Sequence, residues 1–155
     1  MRDMEKIYLD TSIFGGYFDK EFDLWTRLLF NKIISGKFKI LLSRLTEYEL
    51  SLAPLKVREL LNSLPDSVLQ SIDISDEIIQ LADRYITENV VGQSSRADCL
   101  HIALATLNSA DILLSWNFKH IVNVGRIRGY NAVNYKLGYK ILEIRTPREI
   151  LENEN

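Results

Sequence analysis

The sequence predicts an α/β domain with a parallel sheet of four to five strands and helices on both faces, a three-layer α/β/α arrangement. Short apolar runs such as Ile7-Tyr8-Leu9 and Ile112-Leu113-Leu114 alternate along the chain with stretches whose apolar residues recur at helical spacing. Runs that are apolar throughout mark strands covered on both faces, and their alternation with helices calls for right-handed crossovers between parallel strands. At 155 residues the chain is the size of one domain, taken as residues 1–155.

Each element has its own local reason. Ile7-Tyr8-Leu9 forms the first strand, which Asp10-Thr11-Ser12 closes. Leu24, Trp25, Leu28, Leu29 and Ile33 share a helical face, with Gly36 as the stop. Residues 38–42 read as a second buried strand. Ser43 and Thr46 offer start signals for a short helix, and Pro54 opens another that Pro65 ends. Residues 68–74 alternate in part and read as a third strand. Ser75-Asp76-Glu77 starts a helix with acids in its first turn, where the helix dipole favours them. Residues 92–95 break the chain, and residues 96–107 are helical again, rich in Ala and Leu. Residues 112–114 are the clearest strand and residues 139–144 the last. Thr146-Pro147-Arg148-Glu149 then combines an N-cap, a proline at the first helical position and a capping-box glutamate.

Composition narrows the function. Hydrophobic residues make up 46% of the chain and charged ones 26%, values of a globular protein rather than a disordered one. A single cysteine excludes an internal disulfide and points to a reducing, cytoplasmic setting. No apolar run is long enough to span a membrane, and the first residues lack a signal-peptide layout. Nineteen basic against twenty-one acidic residues give a net charge of −2, so a nucleic-acid partner would have to be held by local patches or bound cations. Phosphate-binding glycine loops, zinc-type Cys/His spacing and a Ser/His/Asp arrangement are all missing from the sequence.

In doubly wound sheets, ligands sit outside the carboxyl ends of the strands. Several oxygen-bearing side chains fall there. Asp10 ends the first strand, and Glu47 and Glu49 follow the second. Asp98 lies in the first turn of the helix before the 112–114 strand, and Asn117 follows that strand. Carboxylates gathered at one point suit hard cations such as Mg²⁺ or Mn²⁺, with waters left free for chemistry. Each acid also has a structural use. Thr46-x-x-Glu49 is a capping box, Ser95-x-x-Asp98 resembles one, and Asp10 can turn the chain after a strand. His101 shares a helix face with Asp98 and suits packing or a supporting hydrogen bond better than Mg²⁺ ligation. Arg126, Arg128 and Lys136 interleave with Tyr130, Tyr135 and Tyr139, the pattern of an RNA-tracking surface or of a solvated basic helix face.

Taken together, Ile7-Tyr8-Leu9-Asp10-Thr11-Ser12, Glu49-Leu50, the helix Arg96-Ala97-Asp98-Cys99-Leu100-His101-Ile102-Ala103-Leu104-Ala105, and Leu113-Leu114-Ser115-Trp116-Asn117 resemble the PIN-domain family. That is the ribonuclease fold of VapC-type toxins in toxin–antitoxin pairs. The resemblance runs in order through nearly the whole chain, and its last two segments are the most specific. It implies a PIN-like fold and an acidic pocket binding Mg²⁺ or Mn²⁺. The implied activity is hydrolysis of RNA leaving 5′-phosphate and 3′-hydroxyl ends.

By the same resemblance Asp10, Glu49 and Asp98 are the metal-binding and catalytic acids, with Glu47 the rival of Glu49. Asn117 stands where many members carry a fourth Asp, offering an amide oxygen without charge. Ser12 and Ser115 support the acids. The implied partners are RNA, an antitoxin protein and a second copy in a homodimer; Arg126, Arg128 and Lys136 of the basic stretch are the candidate RNA contacts. A PIN-fold module that binds RNA or protein with weakened catalysis is the alternative. Two other doubly wound Mg²⁺ folds fit less well. A haloacid dehalogenase-like phosphatase wants an Asp where Ser12 stands, and a receiver domain wants an acid pair after its first strand.

Overall fold

The computed structural model describes residues 4–152, so residues 1–3 and 153–155 of the expected domain lie outside the described residues. Its strands are β1 (Glu5–Leu9), β2 (Phe38–Ser43), β3 (Leu69–Ile72), β4 (Ile112–Leu114) and β5 (Glu143–Arg145). The α-helices are α1 (Ser12–Gly16), α2 (Asp23–Ile34), α3 (Arg44–Ser51), α4 (Leu55–Asn62), α5 (Asp76–Thr87), α6 (Arg96–Leu107), α7 (Val124–Lys136) and α8 (Pro147–Leu151). All pairings are parallel, in the order β3-β2-β1-β4-β5. This is the α/β architecture expected, with five strands and a PIN-like fold.

The topology decides where a site can form. From β1 the chain moves outward through β2 to β3, then crosses back to lay β4 on the other side of β1. Crossovers therefore leave β1 in opposite directions, and a crevice opens at the carboxyl ends of β1 and β4. Their register is tight there. Leu9 pairs with Leu114, and Asp10 N–H donates to the Leu114 carbonyl at 3.0 Å.

Alternation along the strands splits the core into two layers. Tyr8, Leu41 and Leu113 face one layer with residues of α5, α6 and α7. Ile7, Leu9, Ile40 and Leu114 face the other with α1, α2, α4 and α8. Helix α6 is buried over Cys99 and His101 to Thr106, because it packs in one cluster with the sheet, α5 and α7. That explains its nearly all-round apolar sequence.

Several local expectations are corrected. Ser43, not Thr46, caps α3 by accepting the Thr46 N–H, so Thr46 and Glu49 form no capping box. Ser95 makes no side-chain cap on α6 either. Both Glu49 and Asp98 are thereby released from a capping role. Pro54 precedes α4 as its cap residue rather than its first turn. The third and fifth strands are shorter than the apolar stretches that contain them. Helix α8 carries the full predicted capping box of Thr146 and Glu149.

Gly16 ends α1 against the Trp116 indole, and a Cβ added there would lie 2.6 Å from Trp116 Cδ1. The indole is held in place because its Nε1–H donates to the buried Thr26 Oγ1 at 3.0 Å. Gly16→Ala is expected to cost about 1–3 kcal/mol in urea unfolding through overpacking. Gly15→Ala, whose added methyl meets nothing within 4 Å, is the matched control and should cost nothing.

Candidate active site

Three elements deliver three carboxylates to the crevice. Asp10 follows β1 directly and is buried, with Oδ2 accepting hydrogen bonds from Ser12 Oγ at 2.7 Å and Ser115 Oγ at 2.8 Å. Those two hydroxyls come from the starts of the segments that follow β1 and β4. Asp98 enters from the first turn of α6 and Glu49 from α3. Glu47 sits on the same helix but is exposed, so Glu49 is the acid turned inward.

His101, one turn after Asp98, lies at the centre with 1% exposure. Its Nε2 is 2.6 Å from Glu49 Oε1 and 3.6 Å from Asp10 Oδ1, and its Nδ1 is 2.6 Å from the Tyr8 hydroxyl. The surrounding bonds fix the protons. Ser43 Oγ donates to Thr46 Oγ1 and already accepts the Thr46 N–H. Its bond to Tyr8, at 2.9 Å, therefore takes the phenol proton. Burial pushes the Tyr8 phenol up, so it stays protonated. The Tyr8 oxygen then accepts from His101 Nδ1–H, while an ionised Glu49 accepts from Nε2–H. Both ring nitrogens carry protons, and His101 is an imidazolium.

The ionisation shifts follow. Burial alone would push His101 down, but the Glu49 hydrogen bond and the Asp10, Glu49 and Asp98 charges outweigh it and raise its pKa. Burial acts to raise Glu49, yet His101 and the Thr11 hydroxyl, which donates at 2.6 Å, bring it below the ordinary value. Asp98 is raised, first by burial and then by the Asp10 charge, against the pull of His120 and His101. The pocket thus holds more negative charge than one imidazolium balances.

Asn117 does not present its amide oxygen to the acids. Oδ1 accepts the backbone N–H groups of Lys119 at 3.2 Å and His120 at 3.0 Å, so Nδ2 faces Asp98 Oδ1 at 3.3 Å. The amide orients Asp98 and is not an oxygen ligand here. Arg126, Arg128 and Lys136 lie on α7, within about half of the helix circumference at about 100° per residue. Two of them are already engaged, Arg126 donating to the Val90 carbonyl and Lys136 pairing with Glu88 at 3.1 Å. Two residues near the acids went unremarked as site residues: Tyr8, through its bond to His101, and Thr11, through its bond to Glu49.

Among the described residues no group of three or more His, Cys, Asp and Glu side chains stands ready to hold a metal ion. His101 and Thr11 hold Glu49 by Oε1. The donor chemistry of Asp10 and Asp98 nonetheless suits a hard cation, since both offer oxygen only and the Asp10 charge already disfavours ionised Asp98.

Similar folds occur in solved structures. A VapBC2 complex from Rickettsia felis bound to a promoter DNA fragment matches at 18% identity and a TM-score of 0.52, covering 90% of this chain and 98% of that chain. FitAcB from Neisseria gonorrhoeae matches at 13% identity and 0.55, covering 91% and 97%. DNA-bound VapBC from Salmonella typhimurium matches at 14% and 0.55, covering 93% and 99%. No family model and no curated protein matches the chain. These findings correct the family resemblance drawn from the motifs. The likeness is to VapBC and FitAB complexes, without singling out a toxin ribonuclease over its antitoxin, and at such identities it establishes the fold alone.

Two outcomes follow from the charges. His101 has a raised folded pKa, so its protonation adds stability that is full below the unfolded value of about 6.5 and is lost as the pH climbs through the folded value. His101→Ala should cost about 3 kcal/mol or more in urea unfolding at low pH and lose part of that cost at high pH. Asp98 carries the opposite sign, because a raised carboxyl pKa means that its ionised form weakens the fold. In EDTA at neutral pH, Asp98→Asn should melt higher than the parent, on the order of 2 °C. That gap should close as the pH falls to the ordinary carboxylate range.

Proposed function

We propose that this protein hydrolyses RNA phosphodiester bonds with the help of a divalent cation, Mg²⁺ or Mn²⁺, held by Asp10 and Asp98. The observation that carries this reading is the convergence of Asp10, Glu49 and Asp98 at the switch point of the sheet, with burial first and the Asp10 charge next raising Asp98. When bound, such a cation supplies a water of lowered pKa and a counter-charge for the phosphate.

The chain's own groups prepare the rest. Ser12 and Ser115 hold Asp10 through Oδ2, and Oδ1 lies 3.6 Å from His101 Nε2. Asn117 Nδ2 holds Asp98 through Oδ1. Glu49, kept ionised by His101, offers Oε2 as a proton acceptor. A carboxylate with a lowered pKa is a weak base, so Glu49 orients water more than it removes protons. The shared fold with VapBC and FitAB complexes supports a toxin–antitoxin-related role, with an antitoxin protein as partner and a second copy in a dimer. Among the described residues no helix is long and apolar enough to cross a membrane.

The test is cleavage of an end-labelled structured RNA by purified protein in Mn²⁺ or Mg²⁺, with EDTA and Asp98→Asn beside it. Metal-dependent cutting that falls on the order of 100-fold in the variant is the expected result. Metal binding with no cutting of several RNAs would contradict it. That outcome would favour an RNA- or protein-binding module, for which the uncharged Asn117 is the supporting feature.

A further inference from the structure

A second feature lies beside the acids. Phe22 stacks on Trp116 with ring centroids 4.4 Å apart and planes at 19°. Phe118 closes the group at 6.1 Å from Phe22 and 6.3 Å from Trp116, and is 49% exposed. Together with Trp25, whose ring lies 5.7 Å from the Arg148 guanidinium, these rings line a cleft of about 390 Å³. A volume in this range is that of a small-molecule site.

The cleft is joined rigidly to the carboxylates. Trp116 N–H donates to Ser12 Oγ at 3.0 Å, and the same Ser12 hydroxyl donates to Asp10. Asn117, which orients Asp98, is the neighbour of both Trp116 and Phe118 in the chain.

We propose that this cleft receives one unpaired base of the RNA, stacked against Phe118, while the adjoining phosphate lies at Asp10 and Asp98. The inference rests on RNA being the substrate and names how it is gripped. Aromatic faces accept any base, and base–aromatic stacking is the common grip of proteins on single strands. Glu21, Glu149 and Arg148 line the cleft as well, and because the acids outnumber the one cation, which already pairs with Glu152, the cleft suits an uncharged base better than a phosphate. The grip also answers the charge problem, because a chain with net charge −2 cannot hold RNA by general attraction.

Both tryptophans of the chain, Trp25 and Trp116, line the cleft, so their emission reports directly on its occupancy. The experiment titrates the protein in EDTA with a short unstructured RNA oligonucleotide, the same oligonucleotide made abasic, and an apolar peptide. Saturable quenching by the RNA and much weaker quenching by the abasic strand are expected. Phe118→Ala should weaken RNA binding about ten-fold, whereas Phe118→Tyr should keep it within about two-fold. Equal binding of the abasic strand, an unchanged Phe118→Ala, or quenching by the peptide and not the RNA would each overturn the proposal.

Cleavage measured in parallel separates the two readings. Cutting in Mn²⁺ without base-dependent quenching defeats the base site and leaves the nuclease. Base-dependent quenching without cutting supports the base site and defeats the nuclease.

Discussion

A buried imidazolium among three carboxylates is the interaction on which the site depends. His101 is almost fully enclosed, and an unpaired charge at that depth would be too costly to keep. It persists because Glu49 and Tyr8 take its two N–H groups, and because Asp10 lies 3.6 Å from Nε2. The chain of bonds continues from Tyr8 to Ser43, which caps α3, the helix that carries Glu49, and on to Thr46 within that helix. One proton on one histidine thus ties β1, β2, α3 and α6 into a single polar unit inside an apolar core. The negative charge left over is what a divalent cation and a phosphate would meet.

The sheet makes that unit possible. Because β4 returns to the opposite side of β1 from β2, the ends of two neighbouring strands open to one crevice. Residues that leave those strands, Asp10 to Ser12 and Ser115 to Phe118, become neighbours although about a hundred positions separate them. The hydroxyls of Ser12 and Ser115 lie 3.3 Å apart and share Asp10. Aromatic packing extends from the same residues through Trp116, so the polar and stacking halves of the crevice have one scaffold.

Much of the fold was legible because its signals are local. Three-residue apolar runs marked β1 and β4, Ser75 and Thr146 capped their helices as read, and Gly36 takes a positive φ of 85° after α2. Helix α1 was not legible, since Ser-Ile-Phe-Gly-Gly is too short and too glycine-rich to show a helical pattern. The capping box at Thr46 misled because Ser43, still at the end of β2, already supplied the cap. Asp10, Glu49 and Asp98 could be found from their places at strand ends. The charge of His101 could not, because it arises from Glu49, fifty-two positions away in sequence, and from Asp10 and Asp98. Asn117 was read as an oxygen donor, but the turn to His120 takes that oxygen. Phe22, Trp116 and Phe118 look like scattered core residues until the fold assembles them. The motifs pointed to the right fold and overreached on family, since short segments around strand ends encode a topology more surely than a lineage.

The central claim is that the excess negative charge around His101 forms a site for a divalent cation at Asp10 and Asp98. Calorimetric titration of the intact protein with Mn²⁺ tests it most directly, with Asp10→Asn and Asp98→Asn in parallel. Saturable binding by the parent that each variant weakens by tenfold or more is the predicted result. Absence of binding, or binding that both variants leave unchanged, would contradict the account.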